Sequence, residues 1–143
     1  MPTLTPSITL ATAWLNSIRT SLNAGGPGKP ATIGIYTGSK PSRPDVAVST
    51  QVLLGTVTCQ DDCGVVSEIS GIPTLTFNSI TADTSADASG IATWGRMRSG
   101  EDSPIAVIDF DISTTGGTGF GQMNTTNVVI NGPIAAPSVV ITA

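Results

Sequence analysis

Short runs of β-branched and alternating residues recur along most of this 143-residue chain, and each is closed by glycine, proline or a polar turn. Thr32-Ile33-Gly34-Ile35-Tyr36-Thr37 alternates as a half-buried strand does. Gly38 to Pro44 ends it, because Pro41 and Pro44 block regular structure. Val52–Thr58 and a short run at Val65–Ile69 come next. Thr74–Ile80 sends Leu75 and Phe77 one way and Thr74, Thr76 and Asn78 the other. Ile91–Arg98 and Ile105–Ser113 flank the turn Ser99–Pro104. Asn127–Asn131 and Ser138–Thr142 close the chain. About eight strands at such spacing predict an all-β jelly roll, β-sandwich or barrel. Alternating βα units are missing, which argues against a parallel α/β sheet.

One segment breaks the pattern. From Ser7 to Asn23, Ala11, Trp14, Leu15, Ile18 and Leu22 recur at helical spacing. Ser7 or Thr9 suits the N-cap, and Asn23-Ala24-Gly25-Gly26-Pro27 is a strong stop. The organisation expected is an N-terminal amphipathic segment or arm over 1–30 and one β-domain over 31–143. The helical stripe must be buried, either on the chain's own sheet or on a neighbour.

Composition narrows the function. Only 11% of residues are charged, against roughly 25% in an average soluble domain. Thr and Ser together supply 36 residues, and no charge occurs from Ile112 to Ala143. The six basic residues are scattered, and the net charge is -4. A nucleic-acid partner is therefore not expected, since phosphate neutralisation needs a basic patch. The chain has no histidine, which removes Ser-His-Asp catalysis and His-ligated zinc or haem. No window of ~18 apolar residues exists, so no membrane partner is expected. The start of the chain lacks the positive region of a secretory leader, which predicts synthesis in a cytosol.

Several motifs invite chemistry and fall short of it. Gly117-Thr118-Gly119-Phe120-Gly121 lacks the succeeding helix and Lys-Ser/Thr pair of a phosphate loop. Asp83-x-Ser85-x-Asp87 opens like a calcium loop, but Ala88 and Trp94 stand where Gly and Glu are needed. Cys59 and Cys63 form either a local disulfide or two thiols; a zinc site would need more ligands. Asn124-Thr125-Thr126 is a sequon without a secretory context. Asp109 and Asp111 share one face of a strand. If Ile91–Arg98 and Ile105–Ser113 form a hairpin, Arg96 falls opposite Asp109 as a cross-strand pair on the outer face. Trp94 shares that parity and is then an outer contact residue, or else lies under a loop or inside the sandwich. No catalytic residue, cofactor or metal is expected.

The phrases Ile33–Pro41, Leu53–Thr58, Ala88–Arg96 and Val107–Ile112, in that succession, resemble small virion proteins of tailed bacteriophages. In particular they are similar to the capsid cement, or decoration, proteins of short-tailed phages. The resemblance covers roughly residues 31 to 142. It implies a jelly roll that associates with itself, sits outside the capsid lattice and bridges neighbouring major capsid proteins. The location it implies is the virion surface.

A low-charge, Ser/Thr-rich surface agrees with that role, because burying neutral groups against a partner avoids charge desolvation. The candidate interface residues are Trp14, Leu15, Ile18 and Leu22 of the helix, Trp94, and Val128, Ile130, Val139 and Ile141 of the last two strands. Those strands either lie centrally in the sheet or meet partners, since they lack edge-protecting charges. The competing expectation is a phage tail, head–tail or receptor-binding module. Its sugar-facing candidates are Tyr36, Trp94 and Phe120. A hydrolase built on Asp109 and Asp111 ranks third.

Overall fold

The computed structural model describes residues 4–143. In chain order the elements are α1 (Ile8–Leu22), β1 (Thr32–Thr37), β2 (Val52–Thr58), β3 (Gly64–Ile69), β4 (Ile72–Phe77) and β5 (Gly90–Ile91). They continue with β6 (Trp94–Arg98), β7 (Ala106–Thr114), β8 (Gly121–Met123), β9 (Asn127–Val128) and β10 (Ser138–Thr142). The protein is mostly β with one N-terminal helix. A large mixed sheet of eight strands runs β2-β1-β6-β7-β8-β10-β4-β3, and β5 pairs separately with β9. Only β7 and β8 are parallel within the large sheet.

Inner faces of both limbs of this sheet meet in one core. Ile33, Ile35, Val57, Met97 and Phe110 come from one limb, and Leu75, Val139 and Ile141 from the other. Each such side chain contributes about 1.5–3 kcal/mol by leaving water. The phenyl ring of Phe110 lies in a slot whose walls are glycines. A Cβ on Gly95 would stand 2.6 Å from Phe110 Cζ, and one on Gly121 would stand 2.5 Å from Cε2. That requirement explains β8. The glycine-rich stretch, expected as a loop, ends in a strand because Gly121 admits the ring beside the parallel pairing with Ile112.

Helix α1 closes the core. Ser7 caps it, its side chain accepting from Leu10 N–H at 3.2 Å. Ala11, Leu15, Ile18 and Leu22 are buried, and the last three belong to the same cluster as the sheet residues. The helix packs on β3, β4 and β7 of its own chain. A polar clamp fixes its far end. Arg19 donates through Nε to Asp62 Oδ1 at 3.0 Å and through Nη2 to Oδ2 at 2.6 Å. Asn23 Nδ2 donates to the same carboxylate, and its Oδ1 accepts from Cys63 N–H.

The two sheet edges differ. The outer edge of β2 is covered by residues 81–87: Thr58 and Thr81 exchange backbone hydrogen bonds, and Asp87 N–H donates to Leu54 O. Asp83 accepts from Thr56 N–H and, through its other oxygen, from Ser85 N–H, both at 3.0 Å. The calcium-like motif thus caps a strand edge. At β3, the turn Ser70-Gly71 has positive φ at both residues, as a two-residue hairpin requires. Strand alternation then turns the main-chain groups of Val66 and Glu68 to the open side.

Candidate functional site

The outer face of β1-β6-β7 carries the polar and aromatic residues that the sequence placed together. Arg96 lies opposite Asp109, as expected, and Trp94 opposite Asp111. The burial differs from the expectation. Side-chain exposure is 3% for Arg96 and 5% for Asp109, so the pair is interior. Arg96 Nε donates to Asp109 Oδ1 at 2.7 Å and Nη2 to Oδ2 at 2.8 Å. The reason is the loop between β1 and β2. It folds over this face and offers the carbonyls of Val46 and Arg43 to Arg96 Nη1 and Nη2. The hydrogen bond to Asp109 holds the guanidinium pKa above its usual value, against the opposing effect of burial.

Trp94 lies beneath the same cover, buried to 1%. Its ring stacks on Tyr36 with centroids 4.4 Å apart, and Arg96 sits over it at 5.4 Å. Its Nε1 is buried without a hydrogen-bond acceptor. Neither Tyr36 nor Trp94 can face a sugar from this position. Phe120 is the aromatic of that set which remains exposed. It lines a cleft of about 170 Å³ with Lys40, Asp111 and Thr118, where Lys40 Nζ stands 3.0 Å from Asp111 Oδ1.

Cys59 and Cys63 are both buried free thiols. Burial is the main cause that pushes Cys59 up to about 12 and Cys63 up to about 11. Thiols so far from ionising are weak nucleophiles and poor metal ligands at neutral pH. Among the described residues no cluster of three His, Cys, Asp or Glu side chains is placed to hold a metal ion.

The strongest surface feature is the flank of α1 beside the buried stripe. Leu10 and Trp14, one turn apart, are 59% and 58% exposed. Leu4 is almost fully exposed before the helix. Leu4, Pro6, Leu10, Ala11 and Trp14 line an apolar groove of about 330 Å³. At the other end of the helix, Ser21 of the last turn and Ala24 just beyond it share a second depression with Glu101, Ile105, Ala106 and Val107. The sequence pattern put Trp14 in the same stripe as Leu15. The 3.6-residue period instead turns it to the side, about 60° from Ala11.

Of the nine candidate interface residues, Trp14 and Ile130 lie on the surface. Leu15, Ile18, Leu22, Trp94, Val128, Val139 and Ile141 are core residues of this chain and have no free surface to offer. For the helix residues the cause is packing on β3 and β4; for Val139 and Ile141 it is the central place of β10 between β8 and β4. Sequence reasoning missed Leu4 and Leu10, although Leu10 precedes Trp14 by four residues.

The chain is thus defined, by fold, as a mixed-sheet β-domain closed by one helix. No family model, curated protein or solved structure matches it. Among the described residues no helix is long and apolar enough to cross a membrane.

Proposed function

We propose that this chain is a virion structural protein that binds the outside of a capsid lattice and cements neighbouring major capsid proteins without covalent bonds. The observation that carries the reading is the apolar flank of α1, where Trp14 and Leu10 stand exposed on a helix firmly anchored from behind. Exposed apolar patches rimmed by polar residues are docking surfaces, and tryptophan is the side chain most often dominant in them. The buried stripe of Leu15, Ile18 and Leu22 holds the helix on the sheet, so little ordering entropy is lost when a partner binds. Few charges need desolvation on this chain. Weak contacts repeated over a symmetric shell add through avidity. The resemblance to phage cement proteins points the same way, and it implies that the chain also takes a second copy of itself as a partner.

The test is cosedimentation with assembled capsids and cryo-EM of the particle. Density for this chain at junctions between capsid subunits is expected, and Trp14→Asp should abolish it. A shell that carries no such density overturns the reading. The second reading, a tail or receptor-binding module, rests on the Phe120 cleft with its Lys40–Asp111 pair. Glycan binding that disappears in Phe120→Ala would favour it.

A further inference from the structure

The outer face of β3-β4-β10 is exposed at seven of its eight register positions, Thr74 being the exception. Cross-strand register arranges it in rows: Val65, Thr76 and Val140 in one, Ser67, Thr74 and Thr142 in the next, and Ile69 beside Ile72 in the third. The opposite parity, Val66, Leu75 and Ile141, faces the core. Val65 is 54% exposed, Ile69 53%, Ile72 48% and Val140 37%. Thr74 at the centre is buried and donates its hydroxyl to Ile72 O at 3.0 Å. No residue in these rows is charged. Sheets that face water normally show polar and charged side chains there.

We propose that this face packs against the same face of a second copy, two sheets stacked about a two-fold axis. The exposed fractions of the seven accessible residues amount to on the order of 500 Å² per copy, and a pair therefore buries roughly 1,000 Å², the lower limit for a specific interface. The face complements itself. Threonine and serine hydroxyls both donate and accept, so a symmetry copy satisfies them, and aliphatic rows interdigitate as in a β-sandwich. An isologous contact needs that self-complementarity. The neighbouring edge of β3 is less suitable. Glu68 would approach its own copy there, and Arg19 already holds the Gly64 carbonyl. The occupant is thus a copy on the face and not at the edge. This inference names the surface for the self-association in the proposed function and rests on that part alone. Helix α1 packs on the core side of β3 and β4, so the two surfaces are separate and one copy can engage both.

The experiment is sedimentation equilibrium of the full chain over a concentration series, with capsid cosedimentation in parallel. A shift from one-chain to two-chain mass is expected for the natural sequence. Ile69→Lys and Val140→Lys, on different strands and both at exposed positions, should each weaken the pair more than about 10-fold while the circular dichroism spectrum stays unchanged. Trp14→Asp should leave the two-chain mass intact. A one-chain mass at every concentration overturns the proposal. So does a pair that survives both lysine variants, or one lost in Trp14→Asp. A pair that forms normally in a chain that ignores capsids leaves this inference standing and overturns the lattice reading alone.

Discussion

The two limbs of the sheet treat their outer faces in opposite ways. On β1-β6-β7 the outer face holds Tyr36, Trp94, Arg96 and Asp109, and a loop folds over it until these residues are interior. On β3-β4-β10 it holds valine, isoleucine, threonine and serine, and all of these but Thr74 are exposed. Simple hydrophobicity would have covered the second and left the first in water. The covering loop follows hydrogen-bonding capacity instead. Arg96 offers donors beyond those that Asp109 can accept, and the carbonyls of Arg43 and Val46 satisfy them. The face of β3-β4-β10 offers hydroxyls but no guanidinium or carboxylate to organise a loop. It keeps its apolar area available for another molecule.

The largest test of this contrast is the removal of the covered carboxylate. Asp109→Ala leaves a buried guanidinium uncompensated and should cost about 3–5 kcal/mol, measured by urea unfolding. Exchanging both partners for apolar residues of similar volume should cost far less. A smaller effect is expected one layer deeper. Gly95→Ala drives a methyl group into the Phe110 ring and should cost about 1–3 kcal/mol in the same assay.

The second Arg–Asp pair sharpens the comparison, because it has similar geometry in water. Side-chain exposure is 37% for Arg19 and 52% for Asp62. Hydrogen bonds from Arg19 and then Asn23 lower the Asp62 carboxyl from 3.8 to about 2. A depressed folded-state pKa contributes stability that is present above the unfolded value and is lost as pH falls through the folded one. The loss should therefore run from about pH 4 down to about pH 2 and be absent in Asp62→Asn. Solvent screening keeps it below ~1 kcal/mol. Thermal melts across that range check it. Smallest of all, Ile72→Thr on the open face should move the stability of the dilute chain by less than about 0.5 kcal/mol.

Much of the fold could be read from residue order. The spans Thr32–Thr37, Val52–Thr58 and Ser138–Thr142 coincide with β1, β2 and β10, and the Arg96–Asp109 pairing comes from the hairpin register. Ile91–Arg98 breaks into β5 and β6, and Thr74–Ile80 starts two residues earlier as β4. Burial of Trp94 under a loop was one of the alternatives open from the sequence, but the choice was not legible, because the loop acts through backbone carbonyls that leave no side-chain pattern. The candidate site was less legible than the fold. Uncharged β-branched runs such as Val139-Val140-Ile141 look alike whether they fill a core or meet a partner. In β10 the alternation does both, with Val139 and Ile141 inside and Val140 outside.

The two buried cysteines decide how the chain responds to a change of redox surroundings. Where dissolved oxygen is present, exposed thiolates are oxidised or cross-linked. Cys59 and Cys63 are shielded and stay protonated at neutral pH. With both sulfurs enclosed and protonated, the folded chain presents the same surface in reducing and in oxidising surroundings.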